Sequence, residues 1–195
     1  MKEQQKKYEL TGEFIEHWSG KKLYRIKALV SFGVVVAGQL GGFIESEKNL
    51  DQSLSGDAWV SGNAWVYGDA RVSGDAEVYG DARVYGDARV YGDARVSGDA
   101  EVYGDALVSG DARVRSHAVI SEHKMIFWAS NVGSENGTLT VFNGKDGLIV
   151  TRGCFAGTVD EFLAKSAKVH DDKTKNEYKL LIEVAKSRIL GVKDE

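Results

Sequence analysis

Between Gly80 and Ala106 the chain reads GDARVYGDARVYGDARVSGDAEVYGDA, one six-residue phrase written over and over. Glycine recurs at 56, 62, 68, 74, 80, 86, 92, 98, 104 and 110. Alanine follows two residues later, from Ala58 to Ala118, and an aliphatic residue two beyond that, from Val60 to Val114 and then Ile120. Leu54 fits the same slot one step earlier, making twelve aliphatic positions in phase. In a unit such as Asp81-Ala82-Arg83-Val84-Tyr85-Gly86, side chains of an extended backbone alternate, so Asp, Arg and Tyr point outward and Ala and Val inward. Glycine then turns the corner. One aliphatic and one small inward residue per hexapeptide is the signature of a β-helix.

These units resemble the hexapeptide-repeat left-handed β-helix, in which three hexapeptides form one triangular coil. The resemblance implies about four coils, a prism roughly 20 Å tall at about 4.8 Å per strand, and an interior too narrow for a ligand. An 18-residue coil also stacks residues into columns. Tyr67, Tyr85 and Tyr103 lie above one another on one face, while the other columns read Ser55, Ser73, Tyr91, Ser109 and Ser61, Tyr79, Ser97, Arg115. Trp59 and Trp65 begin two other faces. The tyrosine column is open to three readings: β-stabilising stacking, a self-association face, and a site for a planar ligand or partner loop.

The flanks divide the chain into an N-terminal β cap (1–54), the repeat (55–123) and a C-terminal α+β module (124–195), a mainly β protein. In the first, YELTGEFIEHW, KKLYRIKAL and VVVAG read as strands, with GQLGGFIESEKNL leading into the repeat. In the last, KMIFWAS, GTLTVFN and GLIVTR predict three strands and two helices follow. The first helix begins at Thr158, with Glu161 completing a capping box and Val159, Phe162, Leu163 and Ala167 as its apolar stripe. The second runs from about Thr174 to Leu190, with Tyr178, Leu181, Ile182, Ala185 and Ile189 on one face.

Charge is uneven. Ser55–Ile120 carries 11 acidic residues against 6 arginines, a net of −5, and the flanks together carry +1. An acidic middle argues against a sequence-blind grip on nucleic acid. Like charges about 5 Å apart in the aspartate columns repel by roughly 1 kcal/mol in water. Turn N–H groups and the arginine two residues on are expected to offset this; calcium binding and mimicry of a phosphate row are the alternatives. No apolar run is long enough to span a membrane, and the charged start MKEQQKKYEL lacks a secretory core. The one cysteine, Cys154, fits a reducing cytoplasm and reads as a small buried hydrophobe.

No catalytic, cofactor or metal site is predicted. His117 and His123 occupy slots that aspartate fills elsewhere, at successive corners about 15 Å apart or more, too far to share an ion. The repeat carries no inserted loop to wall an acyl-carrier site, and no zinc pair, GxSxG or P-loop is present.

YELTGEFIEHWSGKKLYRIKAL, GQLGGFIESEKNL and GDAWVSGNAWVYGDARV together resemble an uncharacterised family of hexapeptide-repeat proteins encoded by phages and prophages. NVGSENGTLTVFNGKDGLIVTRGCFAGTVDEFLAKSAKVH is similar to the C-terminal module that often closes them. The resemblance implies a β-helix with an N-terminal cap and an α+β C-terminal cap. That family context, the small size, the absence of catalytic residues and the rigid, ordered surface together lead to the expectation of a non-catalytic accessory protein in the host cytoplasm. It would bind a host protein and antagonise antiviral defence, as an anti-CRISPR inhibitor does. Alternatives are sequestration of a nucleotide immune signal, an acyltransferase-like enzyme and a virion structural part. The expected contact residues are Tyr67, Tyr85, Tyr103, Trp59 and Trp65, together with exposed residues of the C-terminal module, and a dimer or trimer is expected.

Overall fold

A Gly-Asp-Ala corner followed by two extended residues is too short to bury anything alone, but stacked on copies of itself it fills and pairs at every level. The computed structural model describes residues 5–191. Its centre is a β-solenoid of about four turns. Eleven two-residue strands, β4 (Trp59–Val60) to β14 (Val119–Ile120), recur every six residues and pair in parallel with the strand one coil away. Val66, Val84, Val102 and Ile120 stand in register on one sheet. The inward alanines and valines are essentially inaccessible. Each coil donates N–H groups to the next, as from Trp65 to the Ala82 carbonyl (2.9 Å) and from Tyr67 to that of Val84 (3.0 Å). The glycine corner is obligatory: Gly86 has φ +71°, and a Cβ there would sit 2.9 Å from the Gly104 nitrogen.

The N-terminal cap contains β1 (Tyr8–Glu16), β2 (Lys22–Ala28) and β3 (Leu40–Ile44). VVVAG is not a strand but part of a turn closed by a Phe32–Val35 bridge. The third strand is LGGFI, which pairs with β2 antiparallel and with β5 (Trp65–Val66) in parallel. The solenoid therefore starts earlier than the repeat. Ile44 lies over Val66 and Leu50 over Val72, both buried, whereas Leu54 is 49% exposed. Residues between Leu50 and Trp59 break the six-residue phase, so Leu54 falls outside it and Leu50 fills the slot.

At this open end three side chains replace the missing coil. Glu45 accepts the Gly68 N–H (2.8 Å). Asn49 Nδ2 donates to the carbonyls of Gly68 (3.0 Å) and Ala70 (2.9 Å). Lys7 Nζ donates to those of Gly56 and Ala58, both at 3.1 Å. Inside the solenoid, the same Gly and Ala carbonyls accept backbone N–H groups, as at Gly92 from Asp75 and Ala94 from Glu77.

The C-terminal sheet has four strands: β15 (Ile126–Val132), β16 (Gly137–Gly144), β17 (Gly147–Arg152) and β18 (Phe155–Thr158). The fourth, unpredicted, lies in RGCFAGT and forms a hairpin with β17. Alternation along β16 sends Leu139 and Val141 toward the helices and Thr140 and Phe142 toward the solenoid. There the polar residues close the last coil. Thr140 Oγ1 accepts the Arg113 N–H (3.0 Å), Thr151 Oγ1 donates to the Arg113 carbonyl (2.6 Å), and Asn143 Nδ2 donates to that of Val119 (3.1 Å). Helix α1 (Val159–Val169) opens on the predicted Thr158–Glu161 capping box. It buries Ser166 where Ala167 was expected; Ala167 is exposed. Helix α2 (Asp172–Leu190) starts earlier than expected, capped by Asp171, and buries Tyr178, Ile182, Ala185 and Ile189. Cys154 is exposed, because it sits in the tight Gly153 turn between β17 and β18. No helix among the described residues is long and apolar enough to cross a membrane.

Candidate functional site

Tyr67, Tyr85 and Tyr103 follow the inward residues of β5, β8 (Arg83–Val84) and β11 (Glu101–Val102), so identical backbone geometry presents identical rings one coil apart. The rings are stacked: both steps measure 5.0 Å between centroids, with planes 5° and 6° apart. Such offset stacks add about 0.5–1.5 kcal/mol each beyond area burial. The rings are half-buried. Tyr85 Oη approaches Glu101 Oε2 at 3.4 Å. Partial burial, with the Glu101 charge second, pushes the Tyr85 phenol up to about 12, and burial raises Tyr67 as well. Tyr67 and Tyr85 therefore stay neutral at physiological pH and present hydroxyls that donate as well as accept.

The two tryptophans part ways. Trp65 is not the start of a separate face; it opens β5, the strand that Tyr67 directly follows. It is partly exposed and holds the Arg83 guanidinium 4.9 Å from its ring centroid, and Arg83 also pairs with Glu101 at 3.7 Å. Trp59 is only 4% exposed and is unavailable as a contact residue in this conformation. The N-terminal cap folds over the first coil, bringing Phe32 edge-on at 5.4 Å and Tyr8 at 6.3 Å. Gly41 permits this approach, since a Cβ there would lie 2.7 Å from the Trp59 ring.

Two residues of this face were missed in the sequence. His17 closes the tyrosine column from the turn after β1, its ring 4.8 Å from that of Tyr67. Beside it Trp18 is 92% exposed. The signal was present: HWSGK places an aromatic residue in a tight turn, where a core partner is hard to reach.

Charge compensation differs from expectation. Arginines pair with glutamates one coil away, Arg83 with Glu101 and Arg95 with Glu77 (3.1 Å), not with aspartates. The aspartates bond mainly to each other's coils and to the caps. Asp75 accepts the Asp57 N–H (2.9 Å), Asp81 accepts from Asn63 Nδ2 (3.1 Å), and Asp69 pairs with Lys48 (2.9 Å). The reason is geometric: Arg and Glu of adjacent strands are direct cross-strand neighbours, and Asp sits at the bend.

The four histidines are dispersed. His17 lies on Tyr67, His117 is 3.6 Å from Asp99, His123 follows the last coil, and His170 rests edge-on against Tyr178 at 5.4 Å. Among the described residues no three His, Cys, Asp or Glu side chains gather in a metal-binding arrangement.

The family model for the YdcK beta solenoid repeat matches residues 76–92 and 88–102. Over that stretch, which includes Tyr79, Tyr85 and Tyr91, the chain is similar to this repeat. No curated protein matches the chain.

Proposed function

We propose that this protein is a non-catalytic binding scaffold that docks a protein partner on the sheet bearing Tyr67, Tyr85 and Tyr103, with Trp65 and Trp18 at its edge. The observation that carries the proposal is the column of near-parallel rings, fixed at a constant spacing by the solenoid beneath. Aromatic side chains held rigid before binding lose little entropy on docking and supply large contact area. The resemblance to phage-encoded repeat proteins favours a host protein as the partner and interference with antiviral defence as the biological role.

A second occupant is favoured by the charges on the same sheet. The outward row reads Trp65, Arg83, Glu101, Val119, which is apolar, positive, negative, apolar. A two-fold axis lying in the interface, parallel to the strands and midway between Arg83 and Glu101, sets Arg83 of one copy against Glu101 of another and Trp65 against Val119. That is the self-complementarity an isologous dimer requires.

The test is Tyr67→Ser, Tyr85→Ser and Tyr103→Ser combined. Serine occupies the equivalent slots at Ser73, Ser97 and Ser109, so the solenoid tolerates it. The triple variant is expected to lose the partner in pull-down, or to halve its mass in light scattering if the occupant is a second copy. A folded variant that keeps both the partner and the mass would sink the assignment of this face.

A further inference from the structure

A different sheet, that of β4, β7 (Glu77–Val78), β10 (Arg95–Val96) and β13 (Arg113–Val114), carries a second surface. The turn before β3 overhangs it and leaves a groove of about 570 Å³. Asp57, Asp75 and Asp93 line it in successive coils, with Glu77 beside them. The one cation in the lining, Arg95, is held by Glu77. Asp93 accepts no hydrogen bond among the described residues. The Asp57 N–H donates to Asp75 and the Lys7 ammonium is drawn to Asp57 and Asp75, so the repulsion within the row is eased at these two and least at Asp93.

A second observation is independent of this charge. Trp59 lines the groove, is 96% buried by its 4% exposure, and its Nε1 has no acceptor among the described residues. A buried donor without a partner carries an uncompensated desolvation cost that an acceptor supplied from elsewhere would remove. The overhanging turn is apolar and outward-facing, with Val34 90% and Val36 64% exposed. Its hydrogen bonds run within residues 31–39, Phe32 with Val35, Val36 with Gln39 and Ala37 with Ser31, and to Ala28 of β2, whose N–H donates to the Gln39 carbonyl and whose carbonyl accepts the Gly38 N–H. It can shift from Trp59 without breaking a hydrogen bond to the solenoid.

We infer that this groove binds a basic, extended peptide segment of a partner protein. Its lysine or arginine side chains meet Asp57, Asp75 and Asp93, its apolar side chains meet Val34 and Val36, and a backbone carbonyl takes the Trp59 N–H once the turn moves. A free polyamine would satisfy the carboxylates but supplies neither the carbonyl nor the apolar contacts. The groove and the tyrosine column lie on different sheets, so either assignment can fail without the other.

The test is titration of the full chain with an acetylated Arg-Leu-Arg-Leu-Arg-Leu peptide, followed by calorimetry and by the Trp59 indole N–H resonance. Binding that shifts this resonance is expected, at least tenfold weaker when Asp75→Asn is combined with Asp93→Asn. Asn63 fills the same corner slot, so these variants should fold. The control pair Asp87→Asn with Asp105→Asn, on another sheet, should leave affinity unchanged. The inference is overturned if the peptide does not bind, if the Asp75/Asp93 variant binds as well as the parent, if the control pair weakens binding as much, if the Trp59 resonance stays still, or if spermidine binds as tightly as the peptide.

Discussion

Replacing Ala94 by leucine is expected to destabilise the solenoid by about 3 kcal/mol or more and to remove its cooperative unfolding transition. Ala94 is fully buried, in an alanine column with Ala76 and Ala112 one coil to either side. Overpacking a close-packed interior costs about 1–3 kcal/mol when neighbours can yield, and more when they cannot. Here the neighbours are backbone. The Ala94 carbonyl is fixed by the Glu77 N–H, and Arg95 donates to the Ala112 carbonyl, both at 2.9 Å. Widening the corner would break the ladder above and below. Against a net stability of about 5–15 kcal/mol for a domain, that loss is large. Urea denaturation followed by circular dichroism measures it. Ala167→Leu on the exposed side of α1 is the matched control and should change stability by less than about 0.5 kcal/mol. Equal midpoints for the two variants would mean the interior is looser than described.

Lys7→Met is the second large effect. Lys7 is fully buried and its ammonium serves two carbonyls at the open end. Burial lowers its pKa, against the pull of Asp51, Asp57 and Asp75, so the group is held at a desolvation cost. Methionine relieves that cost but gives up the ammonium's position over the Phe32 ring, 4.9 Å from its centroid. It also leaves the Gly56 and Ala58 carbonyls without a donor, each worth about 1–3 kcal/mol. The expected net loss is about 2–4 kcal/mol in the urea midpoint, with faster amide exchange along β4 and its neighbours while the C-terminal sheet keeps its protection. Wild-type stability in Lys7→Met would show that water reaches these carbonyls and that the lysine is not a plug.

The solenoid was legible because one decision is repeated at every level. A small residue, an aliphatic residue and a glycine recur in phase, and only stacking explains all three. Its ends were not legible for the opposite reason, since each end is a single event. Lys7 sits in a charge run, QQKKYEL, that reads as solvated, and nothing local says that one of its lysines turns inward. Leu54 kept the arithmetic phase, but the residues beyond Leu50 loop out, and only the pairing of Leu50 with Val72 shows which leucine is inside. Trp59 and Trp65 occupy identical repeat positions, yet the cap covers one and leaves the other at the surface. In the C-terminal module the capping box was readable from Thr158 and Glu161, which are local. The short β18 was hidden in a glycine-rich turn, and Ser166 was hidden by its polarity. Its hydroxyl is buried without a partner among the described residues, and no structural reason for it is apparent.

The tyrosine column was legible as a column, because the 18-residue coil follows from three six-residue sides. That His17 and Trp18 join it was not, because they come from a hairpin whose position over the first coil depends on tertiary packing.

The most direct test of the binding-scaffold account is site-specific photo-crosslinking in cells that express the protein. A benzophenone amino acid is placed at position 85, in the tyrosine column, or at position 91, on another sheet. Both positions are tyrosines of the repeat; Tyr91, on its own sheet, is the more exposed of the two, so exposure alone would favour an adduct there. The account predicts one discrete covalent adduct from position 85 and none from position 91, with the adduct's added mass identifying a partner protein or a second copy of 21.3 kDa. Equal adducts from both positions, or none from position 85, would contradict it.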